Sequence, residues 1–101
     1  MKFSIIVCAY NEEQYLEQCL ESLYSQNYDK YDYEILIIDN DSSDKTPEIG
    51  QSFFRKYKNE LKIKYFRIKH FGLSTSRNFG VENAVGNIVV FVDGDAITDM
   101  N

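Results

Sequence analysis

The sequence predicts an α/β protein: a mostly parallel sheet with flanking helices. Three short apolar runs carry that reading, at residues 3–9, 35–38 and 88–92. Each is rich in β-branched residues and too short for a helix, as expected of strands inside a parallel sheet. Between them lie segments whose apolar residues recur at helical spacing. Strand and helix therefore alternate, which requires right-handed crossovers between parallel strands. A chain of 101 residues has room for one domain.

Phe3 to Ala9 is the first strand. Tyr10-Asn11-Glu12-Glu13 follows, and then Leu16, Cys19, Leu20 and Leu23 mark a helix. Asn11 is a favourable N-cap, and Glu12 and Glu13 suit the positive end of a helix dipole. Tyr28 to Asp32 is a polar connector into the second strand, Ile35 to Ile38, which ends at Asp39. Residues 40–45 form a turn, and Thr46-Pro47-Glu48 reads as an N-cap with proline at the first helical position. Ile49, Phe53 and Tyr57 are the apolar stripe of the second helix. In the third strand, Lys62 to Lys69, apolar residues are interleaved with Lys62, Lys64, Arg67 and Lys69. Seven of the eleven basic residues fall between Arg55 and Lys69. Protection of an open sheet edge explains them better than an anionic binding patch. His70, the only histidine, opens a loop as a surface residue. Leu73 to Val85 is a third helix with a weaker stripe, and Gly86 ends it. Ile88 to Val92 is the last strand, read as buried on both faces. With strand order 3-2-1-4, the order reverses between the first and fourth strands, and a ligand site is expected beyond their carboxyl ends.

The hydrophobic fraction of 44% and charged fraction of 27% are ordinary for a globular protein. A net charge of -5 argues against nucleic acid as the main partner. No apolar run reaches membrane-spanning length, and the N-terminus lacks a signal-peptide pattern. Cys8 and Cys19 lie in apolar-periodic segments and read as small buried hydrophobes, so a reducing, cytoplasmic setting is expected. The first turn lacks a glycine-rich fingerprint and no Walker sequence occurs, which disfavours dinucleotide dehydrogenases and P-loop enzymes.

The last strand runs into Asp93-Gly94-Asp95. In extended chain, residues two apart point the same way, so both carboxylates converge beyond the strand. Two adjacent anions call for a cation or a proton between them. Carboxylate oxygens suit Mg²⁺ or Mn²⁺, which is commonly held by one or two carboxylates plus substrate phosphates. An acidic turn that merely ends the strand is the plainer alternative. Asp39 and Asp41 can accept hydrogen bonds from a base N–H or ribose hydroxyls, or they can cap the following helix, as Asp44 can. Arg77 can face a diphosphate or form a structural salt bridge. The strand order would bring Tyr10 and Glu12 beside Asp93, with Asp39 one strand away.

Four segments together resemble the donor-binding, N-terminal half of an inverting family 2 glycosyltransferase of the GT-A fold, a Rossmann-like architecture. They are Ser4 to Glu13, Ile38 to Thr46, Gly72 to Gly80, and Phe91 to Asp95, in the family's order and spacing. The resemblance implies that Tyr10 and Glu12 line the base and ribose pocket and that Asp39 binds the base, typically uracil. It implies that Arg77 approaches the nucleotide, that Asp93 contacts ribose or metal, and that Asp95 is the main ligand of Mn²⁺ or Mg²⁺. The implied reaction is hexosyl transfer from a nucleotide-diphospho-sugar, typically a UDP-sugar, to an acceptor hydroxyl with inversion. Cys8 stands where the family often has proline, Asn40 where it has a second aspartate, and Asp41 and Lys45 where glycines are common. These departures bear on the second loop and the choice of base, and they leave the metal motif intact.

In the family the catalytic base follows the Asp-any-Asp motif at some distance, and here six residues follow Asp95. The expectation is that residues 1–101 form the donor-binding part, with no catalytic base and no acceptor half. Such a chain would bind nucleotide but transfer sugar poorly or not at all. The glycan, lipid or protein acceptor, and any membrane attachment, would belong to other segments, and an open sheet edge would favour self-association. The alternatives are a nucleotidyltransferase-like enzyme and a non-catalytic nucleotide-binding module.

Overall fold

The computed structural model describes residues 1–69 and 72–94. His70, Phe71 and residues 95–101, Asp95 among them, lie outside the described residues. Seven elements follow one another: β1 (Phe3–Ala9), α1 (Leu16–Tyr24), β2 (Tyr33–Asn40), α2 (Thr46–Tyr57), β3 (Lys62–Ile68), α3 (Leu73–Asn83) and β4 (Ile88–Asp93). The strands form one parallel sheet in the order β3-β2-β1-β4, as the alternation of strand and helix requires.

β2 is the innermost piece of the core, since all eight of its residues are buried. Alternate residues face opposite sides of the sheet. Ile35 and Ile37 join Ile5, Val7 and Ala9 beneath α1 and α2, where Leu16, Cys19, Leu20, Leu23, Phe53 and Tyr57 close the larger apolar cluster. Ile6, Leu36 and Ile38 face the other way, against Phe79 of α3, and form a smaller cluster. Burying one such side chain contributes about 1.5–3 kcal/mol, so the two-helix face supplies most of the hydrophobic stabilisation. On the smaller face α3 approaches closely at Gly80, where an added Cβ would lie 2.6 Å from Ile6 Cγ2.

A buried carboxylate bridges strands near the amino ends of β1 and β2. Glu34 is fully buried. Its Oε2 accepts the Ser4 hydroxyl at 2.6 Å and the Val85 N–H at 2.8 Å, while Lys64 Nζ lies 3.3 Å from Oε1. Burial alone would raise this carboxyl's pKa, but those donors and the Lys64 charge outweigh it and hold the group below the ordinary carboxylate value. Ser4 Oγ in turn accepts the Gly86 N–H at 2.7 Å, so the network fixes the chain between α3 and β4.

Four local expectations are corrected. α3 stops at Asn83, two residues short of Val85, because Ala84 turns extended and Val85 gives its N–H to Glu34. β4 is not buried on both faces: it is an edge of the described sheet, with Ile88 47% and Phe91 44% exposed. Asn11 is not the N-cap of α1, which begins at Leu16 without a side-chain cap. Thr46 is the first helical residue of α2 rather than its cap, although Pro47 does occupy the first turn. The lysine-bearing strand β3 is at the opposite edge, as expected. Among the described residues no helix is long and apolar enough to cross a membrane. Cys8 is half-buried, Cys19 is buried, and neither is in a disulfide.

Candidate functional site

Parallel strands deliver their carboxyl ends to one side of the sheet, so β1, β2 and β4 release Tyr10, Asp41 and Gly94 together. β1 pairs with both β2 and β4, in a register that sets Ala9 beside Asp39 and Cys8 beside Asp93. The loop after β1 is thus the middle of the site.

That loop is tied to the loop after β2 by a set of backbone-to-side-chain hydrogen bonds. Asn11 N–H donates to Ser42 Oγ at 2.9 Å, Glu12 N–H to Thr46 Oγ1 at 2.7 Å, and Glu13 N–H to Asp44 Oδ2 at 3.2 Å. Ser43 N–H returns a bond to Asn11 Oδ1 at 2.9 Å. Asn11 and Asp41 both take left-handed backbone conformations, at φ 51° and 56°. Asparagine and aspartate tolerate this region better than other non-glycine residues, which accounts for both positions. Asp44 also accepts the Thr46 N–H at 2.9 Å, as a capping residue would. Burial opposes its charge, but the Thr46 hydroxyl and N–H and the Glu13 N–H outweigh that and lower its pKa.

Asp39 is fully buried, on the α1–α2 face. Its Oδ1 accepts the Ser42 N–H at 3.1 Å and its Oδ2 the Tyr65 hydroxyl at 2.9 Å. Burial first, then the bond to Asp39 and its charge, push the Tyr65 pKa well up, so this phenol stays a donor. Asp41 is exposed and pairs with Arg67 at 3.2 Å, and Arg67 also donates to the Ser42 carbonyl at 3.0 Å. With both side chains about half exposed, this pair adds at most about 1 kcal/mol.

Asp93 is exposed and lies on the opposite face, in register with Cys8 and on the same side as Phe91. Arg77 of α3 stands over the Phe91 ring, 5.4 Å from its centroid, a cation–π contact. Both charges reach the Cys8 thiol. Burial pushes it up to about 11, while Arg77 pulls down in part and Asp93 adds to the rise. The turn after β4 is held by the Gly94 N–H donating to the Cys8 carbonyl at 3.0 Å. A Cβ at Gly94 would meet Glu12 Cγ and Ala9 Cβ, each at 3.2 Å. Glycine here admits the Glu12 side chain against the acidic turn.

The structure therefore brings Tyr10, Glu12, Asp39, Asp41, Arg77 and Asp93 to one end of the sheet. It joins Glu12 to the Asp93-Gly94 turn and separates Asp39 from Asp93 by the thickness of the sheet. Asp95 lies outside the described residues. Among the described residues no three His, Cys, Asp or Glu side chains converge as a metal cluster. Sequence reasoning missed Ser42, Ser43 and Thr46 as ties to the first loop, and Tyr65 and Arg67 as partners of the acids. A signal for the last two existed: Ile63, Tyr65 and Arg67 alternate onto one face, in register with Ile35, Ile37 and Asp39.

These features define a helix-flanked parallel α/β domain whose loops converge at the switch point between β1 and β4, the layout of nucleotide-binding sheets. The chain belongs to glycosyl transferase family 2, which it matches over residues 4–101. It is 40% identical over 92 residues to the glycosyltransferase AglE of Haloferax volcanii, covering 91% of this chain and 30% of AglE. It is 37% identical over 97 residues to the poly(ribitol-phosphate) beta-N-acetylglucosaminyltransferase TarS of Staphylococcus aureus, covering 94% of this chain and 16% of TarS. The crystal structure of S. aureus TarS 1–349 in complex with UDP-GlcNAc superposes with a TM-score of 0.81 at 36% identity, over 94% of this chain and 27% of that one. The mannosyltransferase PcManGT of Pyrobaculum calidifontis, in complex with GDP-Man and Mn²⁺, gives 0.89 at 28% identity, over 95% and 28%. The fold is thus that of the GT-A transferases, as expected.

Proposed function

We propose that this chain is the donor-binding part of an inverting, metal-dependent glycosyltransferase, and that it holds a nucleotide-diphospho-sugar across the carboxyl ends of β1, β2 and β4. The observation that carries this reading is the close approach of Glu12 to the turn at Gly94, where its Cγ would lie 3.2 Å from an added Cβ. It makes one continuous surface of the loop after β1 and the acidic end of β4. Similar proteins complexed with UDP-GlcNAc and with GDP-Man support a nucleotide-sugar donor, and UDP is the nucleotide proposed here.

In this reading Tyr10 and Glu12 line the base and ribose, and Asp39 and Asp41 supply carboxylate acceptors from the second loop. Asp39 is held in one orientation because Ser42 N–H and Tyr65 O–H both donate to it. Arg77 contributes positive charge from α3 beside Asp93. A divalent ion fits the donor set: Asp93 presents exposed, hard carboxylate oxygens at a strand end, and Asp95 follows two residues later. These two would hold Mn²⁺ or Mg²⁺, and phosphate oxygens would complete the coordination. The ion, when bound, neutralises charge developing on the departing diphosphate.

Calorimetric titration of the chain with UDP, with and without Mn²⁺, tests the reading. UDP binding that tightens with Mn²⁺ is expected, and Asp95→Ala should abolish the metal response without lowering the unfolding midpoint. No binding, or binding indifferent to metal, would overturn it. Preference for UTP over UDP would favour a nucleotidyltransferase.

A further inference from the structure

We infer that Thr46 is a positioning residue for the nucleotide site, acting through Glu12. Thr46 has no solvent exposure and stands at the start of α2, far from Glu12 in sequence. Its Oγ1 accepts the Glu12 N–H at 2.7 Å, and its own backbone N–H is held by Asp44. Glu12 is the residue whose side chain meets the turn at Gly94. A single hydroxyl therefore links the start of α2 to the loop after β1, and through it to the acidic end of β4.

Further bonds close the same seam, to Ser42, Asp44 and Asn11 Oδ1. The Thr46 bond is the most sheltered of the set. A part-buried N–H that loses this acceptor must find water or another partner, so without this hydroxyl the loop carrying Tyr10 and Glu12 is held less firmly in its present place. Ordering that loop would then fall to the ligand, which weakens binding. This inference rests on the nucleotide reading of the site.

The test compares Thr46→Val, which keeps the shape and removes the acceptor, with Thr46→Ser, which keeps the hydroxyl. Asn11→Gly is a second variant, since glycine accommodates the left-handed backbone and removes the side-chain amide, with it the Oδ1 that accepts from Ser43. UDP affinity with Mn²⁺ is measured by calorimetry at a temperature where every variant is folded, and amide hydrogen exchange is followed at Asn11 and Glu12. Thr46→Val should weaken UDP about tenfold and speed Glu12 exchange at least as much, whereas Thr46→Ser should stay within about twofold of the parent. Asn11→Gly should weaken UDP in the same direction. A merely structural threonine would lower the unfolding midpoint and leave the affinity of the folded chain unchanged, and that result would overturn the inference alone. A parent chain that ignores UDP would overturn the reading of the site, and this inference with it.

Discussion

Glu34→Ala removes a fully buried carboxylate that holds both a lysine and a loop. The parent group accepts bonds from Ser4 at 2.6 Å and Val85 at 2.8 Å, and faces Lys64 at 3.3 Å. Breaking a buried ion pair by removing one partner costs about 3–5 kcal/mol. The lower end applies, because the Lys64 side chain is 26% exposed and keeps the Asn83 carbonyl at 2.8 Å. The expected loss is therefore about 3 kcal/mol, a fall of roughly 12–24 °C in melting temperature for a domain of this size. Glu34→Gln keeps the shape and an acceptor, and should lose about 1–2 kcal/mol. Urea unfolding followed by circular dichroism at pH 7 measures both. The group's pKa is depressed in the folded state. Its stabilisation is thus complete above the unfolded-state value of about 4.3 and drains away as pH falls through the folded value. Wild type should lose stability over that acid range more steeply than Glu34→Gln. An alanine variant within about 0.5 kcal/mol of wild type, or acid limbs that coincide for wild type and Glu34→Gln, would refute the reasoning.

Gly80→Ala places a methyl 2.6 Å from Ile6 Cγ2. It should destabilise by about 1–3 kcal/mol, and Ile6→Val in the same chain should recover part of that in the same urea assay. Tyr65 should resist ionisation in an alkaline absorbance titration, since burial and Asp39 raise its pKa. Its contribution to stability is complete below about pH 10 and fades as pH climbs through the folded value, so Tyr65→Phe should flatten that alkaline limb. Cys8, held up to about 11 chiefly by burial, should react with iodoacetamide at pH 8 far more slowly than a free thiol. Cys19, fully buried, should label only in urea, as mass spectrometry of the native and unfolded chains will read.

The strand order and the end of the sheet that carries the site were legible because both follow from periodicity and handedness. Runs such as Ile35 to Ile38 cannot be amphipathic helices, and parallel crossovers have one hand. What stayed hidden depends on partners distant in sequence. Asn11 looks like a cap because capping preference is local, yet folding presents it with Ser42 and Ser43, and the cross-loop bonds win. Thr46 was misread for the same reason. Asp39 was recognisable at a strand end, but Tyr65 enters its surroundings only through the register of β2 with β3. The apolar run of β4 looks the same whether its strand is flanked on one side or two, so periodicity could not foresee the exposure of Phe91.

The interior place of β1 has a consequence for the nascent chain. β1 leaves the ribosome before β2, β3 and β4, yet Phe3 pairs with Ile88 along one flank. That flank lacks its β4 partner until residues 88–93 have been synthesised, an interval on the order of several seconds at typical elongation rates. Until then Ile5, Ile6 and Val7 offer an adhesive ribbon to any passing strand. Slow translation or scarce chaperone should therefore harm the yield of this polypeptide more than its final stability would suggest.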